Sequence, residues 1–179
     1  KIDEFQKAGI NIKVVKFKKR GKPNENIRLE DINFINLDKE PFDNEMKDEE
    51  GNNIGWEASR LYEILGNKKY LFAVFWEDEE GTIFKGCQLW AMPDDDLEVV
   101  KDAWIKLKIK IRNGVKFEIN GNIVTNNLTK SSENGIFHVR PHAKNSFYKF
   151  TDGIEIGNGN ISDTDLLPSG DRMTRQAYW

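Results

Sequence analysis

The sequence predicts an α/β protein, a mixed β-sheet flanked by helices. Three observations carry this. Apolar stretches with strand-like character recur at residues 10–17, 70–92 and 115–124. Between them, residues 56–65 and 94–113 place apolar side chains at helical spacing. Charged and Asn-Gly turns fold neighbouring strands back as hairpins, while other strands are separated by helical crossovers, so both strand directions are expected.

Taking the elements in order, residues 10–17 alternate, with Ile10, Ile12 and Val14 on one face and Asn11 and Lys13 on the other. Arg20-Gly21-Lys22-Pro23 is a turn, and residues 27–34 form a weaker second strand. Residues 38–55 are acidic and rich in Gly and Asn, which predicts a mobile loop. Trp56, Arg60, Leu61, Ile64 and Leu65 wind around a helix that Gly66 stops. The near-continuous apolar run at 70–76 predicts a strand covered on both sides, paired with residues 82–92 across a charged turn.

Pro93-Asp94-Asp95-Asp96 is a helix start, since acidic side chains favour the free amides of a first turn. The helix that follows stripes Leu97, Val100, Trp104, Leu107 and Ile111 and ends at Gly114. Residues 115–124 form a hairpin about Asn120-Gly121. A short strand at 136–139 runs into Arg140-Pro141, and residues 151–170 are a surface excursion. There is no internal repeat.

With 179 residues, one domain over 1–179 is expected. A content of 38% hydrophobic and 32% charged residues describes a globular chain, and no run approaches the ~18 apolar residues of a membrane span. The one cysteine, Cys87, forms no intrachain disulfide; a core position and a reducing, cytoplasmic compartment in a bacterium are expected. The net charge of −3 argues against a non-specific polyelectrolyte binder. Charge is nonetheless segregated: Lys13, Lys16, Lys18, Lys19, Arg20 and Lys22 crowd one segment, and residues 38–50 are acidic. The opening in mid-motif suggests a piece of a larger protein.

That opening carries the chemistry. Glu4 is followed seven positions on by Asn11 and then Lys13, the layout of a metal-dependent nuclease site with an amide where a second carboxylate would stand. Alternation puts positions 11 and 13 on one strand face, about 7 Å apart, and a bend at Ala8-Gly9 lets Glu4 approach. Mg²⁺ demands oxygen ligands with negative charge, and a neutral amide is a weak substitute.

Several segments in the same order resemble the MutH family, the mismatch-repair nicking endonuclease and its relatives among GATC-cutting type II restriction endonucleases. Phe5, Ala8-Gly9-Ile10 and Ile12-Lys13 match the family's Asp-x6-Glu-x-Lys segment, and Gly21-Lys22-Pro23-x-Glu25 the turn after it. Lys68-Lys69-Tyr70-Leu71-Phe72 matches its basic entry to a buried strand. Phe84-Lys85-Gly86, Met92-Pro93 and the helix around Trp104 fit as well. His138-Val139-Arg140-Pro141-His142-Ala143-Lys144-Asn145 is similar to the family's Arg-Pro-x-Ala segment at the DNA, and 173–179 to a segment ending in an aromatic pair.

The resemblance implies a restriction-endonuclease-like fold of the PD-(D/E)xK type. It further implies the C-terminal of two MutH-like domains, a double-stranded DNA-binding effector for GATC beside an N-terminal catalytic domain of the same parent. Glu4 for Asp is a mild departure and Asn11 for Glu a severe one. Glu4, Asn11 and Lys13 would thus be a degenerate catalytic set. DNA contacts would come from Lys16, Lys18, Lys19, Arg20, Lys68, Lys69, Arg140, His142, Lys144, Tyr178 and Trp179. No metal or other cofactor is expected for this domain, Mg²⁺ serving the parent enzyme; Glu4 would be a metal ligand were the site active.

Plainer readings stand beside these. The lysine run can guard an exposed strand edge, and Arg140 can serve a structural ion pair. His138 and His142 make a poor metal pair, with Pro141 between them and no cysteine partner. Trp56, Trp76, Trp90 and Trp104 are core candidates, and Trp179 either meets DNA or docks on a following segment. Alternatives to the effector are an active Mg²⁺-dependent endonuclease with Glu30 or Glu57 replacing the lost acid, and a protein-interaction module without DNA function.

Overall fold

A computed structural model describes residues 3–18, 21, 23 and 26–179. Lys19, Arg20 and Lys22 of the basic run lie outside the described residues. The helices are α1 (Asp3–Lys7), α2 (Phe34–Lys39), α3 (Arg60–Leu65), α4 (Asp94–Arg112) and α5 (Ser131–Asn134). The strands open with β1 (Ile10–Lys18), β2 (Lys69–Asp78), β3 (Gly81–Trp90), β4 (Phe117–Asn120) and β5 (Ile123–Asn126). They continue with β6 (Val139–Pro141), β7 (Phe147–Lys149), β8 (Glu155–Gly157), β9 (Thr164–Leu166), β10 (Arg172–Thr174) and β11 (Gln176–Tyr178). None of the described helices is long and apolar enough to cross a membrane.

The α/β class is present, divided among several small sheets. The chain forms two compact units interleaved in sequence, the first from residues 1–27 and 60–97, the second from residues 28–59 and 98–179. Each unit is assembled from two separate segments of the chain.

The first unit is built on the mixed sheet β1-β2-β3, with β1 parallel and β3 antiparallel to β2. Parallel pairing of β1 and β2 follows from the long connection between them. The register aligns Ile12 with Leu71 and Leu89, and Val14 with Ala73 and Cys87, on one face. It aligns Asn11 with Tyr70 and Trp90, and Lys13 with Phe72 and Gln88, on the other. That second face is closed by an aromatic cluster in which Tyr70, Phe72 and Trp90 lie 5.7–6.0 Å apart. The faces separate as alternation predicts, but Ile12, Val14, Phe84, Leu89 and Cys87 are exposed. Two expectations are corrected here: β2 is not covered on both sides, and Cys87 is not a core residue. The α3 helix ends at Gly66, where a Cβ would come within 2.6 Å of the Tyr62 ring.

The second unit centres on α4, whose acidic first turn and basic last turn suit the helix dipole. The boundary between units falls within this helix, after Leu97. Val100, Trp104, Leu107 and Ile111 are buried as the stripe requires. Trp104 packs 5.3 Å from Trp56 and 6.4 Å from Phe42, and its indole N–H donates to Glu40 at 3.1 Å.

The acidic stretch at 38–55, expected as a mobile loop, is built into this core. Arg112 ion-pairs with Asp38 and Glu45, and Lys101 with Asp43. Asp48 accepts three hydrogen bonds, from the main chains of Glu50 and Asn52 and the Asn52 amide. Gly55 approaches Phe42 so closely that a Cβ would lie 2.1 Å from its carbonyl oxygen.

Two more elements differ from expectation. The hairpin β4-β5 turns at Gly121-Asn122 rather than Asn120-Gly121, because the register pairs Asn120 with Ile123 and only Gly121 takes a positive φ, 57°. Glycine first in a two-residue turn is the type II′ solution. The strand expected at 27–34 does not form: the segment makes an isolated bridge at Asp31, and from Asn33, whose side chain accepts from the Asn36 main chain, it turns into α2.

Candidate nucleic-acid interface

The extended segment before α2 lies alongside β11, which lies alongside β6. Leu29 N–H donates to Tyr178 O, Tyr178 N–H to Glu30 O, and Ile32 N–H to Gln176 O, each at 2.9 Å. On its other side β11 pairs Ala177 with Arg140 and Tyr178 with Val139. A bridge also sets Asp31 opposite Ala177. Directly opposed residues share a face and alternate residues return to it. Asp31, Ala177 and Arg140 therefore stand on one side of this ribbon, with His142 one repeat along in one direction and Trp179 one repeat along in the other.

Contacts across that face agree. The Arg140 guanidinium sits over the Trp179 ring, 4.4 Å from its centre, a cation–π arrangement that restrains it. His142 meets the same ring edge-on at 6.4 Å. Its Nδ1 is 2.9 Å from Asp31 Oδ1, and Arg28 Nη2 is 2.6 Å from the same oxygen. Burial pushes the Asp31 carboxyl up, but Arg28 and His142 outweigh it and hold the group below its ordinary value. Asp165, half-buried, is pushed up by desolvation and by the charge of Asp31, against the pull of Arg175 and Arg172. The ribbon thus presents a guanidinium over an indole ring and an imidazole bonded to a carboxylate, with Lys144 exposed just beyond.

Tyr178, expected among the DNA contacts, is only 3% exposed. Alternation turns it to the opposite side from Trp179, against Phe137 at 5.6 Å, and burial raises its phenol well above the ordinary value. It is a core residue. His138 is buried too, its main chain paired in both directions with Trp179.

The remaining expected residues lie in the first unit. Asn11 and Lys13 are half-buried on the aromatic face of β1, while Lys16 and Lys18 are exposed on the other face with Ile12 and Val14. Lys16 and Lys18, both expected at DNA, thus share one exposed face of β1, and Lys13 of the degenerate catalytic set stands on the other. Lys69 is exposed at the start of β2, and Lys68 ion-pairs with Glu63 at 3.8 Å.

Glu4 lies exposed in α1. The sheet neighbours of Asn11 are Tyr70 and Trp90, neither of which is a metal ligand at neutral pH. Among the described residues, no group of three or more His, Cys, Asp or Glu side chains could hold a metal ion. One carboxylate and a neutral amide do not give Mg²⁺ the charged oxygen ligands it needs.

Sequence reasoning missed Asp31 and Arg28. The only local signal was their i,i+3 spacing; the partner that gives Asp31 its meaning is 111 positions away.

No protein-family model matches the chain. The chain is homologous to the type II restriction enzyme Sau3AI of Staphylococcus aureus, with 31% identity over 192 residues. The match takes in 99% of this chain and 37% of the enzyme, so the chain spans little more than a third of its relative's length.

Proposed function

We propose that this chain is a sequence-specific, double-stranded DNA-binding domain related to type II restriction endonucleases, and that it acts as an effector rather than as the cutting site. The observation that carries DNA binding is the ribbon bearing Arg140, His142 and Trp179, in a chain homologous along its length to a restriction enzyme. A guanidinium restrained over an indole can make the two-pronged donation to the O6 and N7 acceptors of guanine in the major groove. Lys144 supplies a phosphate contact whose strength falls with salt. The target we assign is GATC, the fold MutH-like, and the partner a catalytic domain of the same parent.

The effector reading is supported by the amide at position 11 and its aromatic neighbours, which leave Glu4 as the motif's one acid. Binding of a second site would activate the parent only through unequal affinity for its inactive and active states. The parent's Mg²⁺ chemistry would lie in the other domain.

The test is a titration of GATC and scrambled duplexes by fluorescence anisotropy at several salt concentrations. Arg140→Ala should weaken GATC binding roughly 10- to 100-fold, the worth of about 1–3 kcal/mol for a good bidentate contact, with little change on scrambled duplex. Lys144→Ala should weaken both duplexes equally and reduce the salt slope by about one. Equal wild-type affinity for the two duplexes would refute base reading. Duplex nicking in Mg²⁺ that Glu4→Ala abolishes would refute the effector-only role and establish the active endonuclease in its place.

A further inference from the structure

We propose that Asp31 is a positioning residue for base recognition: it fixes the imidazole of His142 so that Nε2 accepts a hydrogen bond from a base amino group in the major groove. The inference rests on the DNA-binding reading above and adds to it a residue, an atom and a class of base edge.

The argument begins with the hydrogen-bond inventory. A carboxylate can only accept, so the 2.9 Å contact between Asp31 Oδ1 and His142 Nδ1 requires the proton on Nδ1. In the neutral ring that leaves the lone pair on Nε2. Isolated imidazole has no such fixed assignment, and the state of the second nitrogen is set by the bond made by the first. Arg28 binds the same carboxylate oxygen and opposes its protonation, so the acceptor is maintained.

Three further constraints hold the ring. The His142 main-chain N–H donates to Arg175 O at 2.8 Å and fixes the Cα position. Trp179 borders the ring edge-on. Asp31 itself is held by the pairing of the 29–32 segment with β11. Yet the His142 side chain keeps 41% of its surface accessible. A group anchored on one nitrogen and open elsewhere has the build of a reading side chain, whose orientation must be set before the ligand arrives.

The chemistry complements its neighbour. Arg140 can only donate and so selects acceptor edges, guanine above all. An Nε2 lone pair selects donor edges, the N6 amino group of adenine or the N4 amino group of cytosine. Side by side on one ribbon, the two discriminate bases that either alone would confuse. A surface ion pair with no recognition role would make no such difference between sequences.

The experiment is a double-mutant cycle on the intact chain, read as the ratio of affinities for GATC and scrambled duplex. Using the ratio cancels the general gain in DNA affinity from removing an acid. His142→Ala and Asp31→Ala should each reduce the ratio roughly tenfold, and the double variant should fall no further than His142→Ala. Asp31→Asn, which keeps an acceptor oxygen and is less able to disturb folding, should retain part of the discrimination. ¹⁵N spectra of the free protein should show His142 protonated on Nδ1, and loss of that preference in Asp31→Ala.

If Asp31→Ala and Asp31→Asn both leave the ratio unchanged while the wild type discriminates, the proposal is overturned and DNA binding stands. An equal fall with and without His142 would also overturn it, since Asp31 would then act by another route. A wild type that binds both duplexes equally overturns base reading itself, and the role of Asp31 with it.

Discussion

Replacing Trp104 with alanine is expected to destabilise the second unit by about 3–5 kcal/mol, the cost of deleting a large aromatic from a packed core. Trp104 is fully buried and packs against the rings of Trp56 and Phe42. It also donates to Glu40 and shares the charge of Lys108, whose Nζ is 4.5 Å from its ring centre. Truncation therefore leaves a cavity and removes a hydrogen bond and a cation–π partner together. Trp104→Phe keeps an aromatic ring and loses the indole N–H, so its cost should be distinctly smaller. Denaturant unfolding monitored by circular dichroism measures both. A Trp104→Ala loss below about 1 kcal/mol would mean that the site collapses freely and that the cluster does not organise the unit.

The features legible in the sequence are those whose signal is local and long. The α4 stripe from Leu97 to Ile111 spans four turns, and its Asp94-Asp95-Asp96 start leaves little ambiguity. The β2-β3 hairpin is equally plain, because ten-residue strands meet across a charged turn. Short elements are another matter. In β11, three residues cannot reveal their own phase, so Tyr178 was assigned to the surface with Trp179 although the two face opposite ways. The acidic residues 38–55 have the composition of solvated chain, and what orders them is Lys101, Lys108 and Arg112 on a helix far along the sequence. The site shows the same division. Arg140, His142 and Trp179 stand in contiguous segments that the sequence singles out, whereas Asp31 meets them only when β11 brings residues 29–32 near β6.

The stability contributed by Lys108 is expected to rise with pH, the reverse of the usual behaviour of a lysine in an ion pair. Lys108 lies on the buried face of α4, with Nζ donating to the carbonyl oxygens of Glu40 and Pro41 and lying over the Phe42 and Trp104 rings. Burial, aided by the charge of Arg112, pushes its pKa down to about 8 from an ordinary 10.5, against the opposing pull of Glu40, Glu45 and Asp38. Between those values the unfolded chain binds more protons than the folded one, so raising the pH favours folding. Below the folded value the charged amine is carried into the core at full cost, and the whole effect amounts to about 3 kcal/mol. Replacing Lys108 with methionine removes this dependence. The stability difference between wild type and Lys108→Met should then shift in favour of wild type by about 2 kcal/mol from about pH 7 to about pH 9.5. Stopping there matters, because the buried Tyr178 phenol resists ionisation in the folded state and lowers stability above about pH 10. Urea midpoints at matched ionic strength give the comparison; parallel pH curves for the two proteins would show that Lys108 titrates as an ordinary lysine, and that its carbonyl and aromatic partners fully offset its burial.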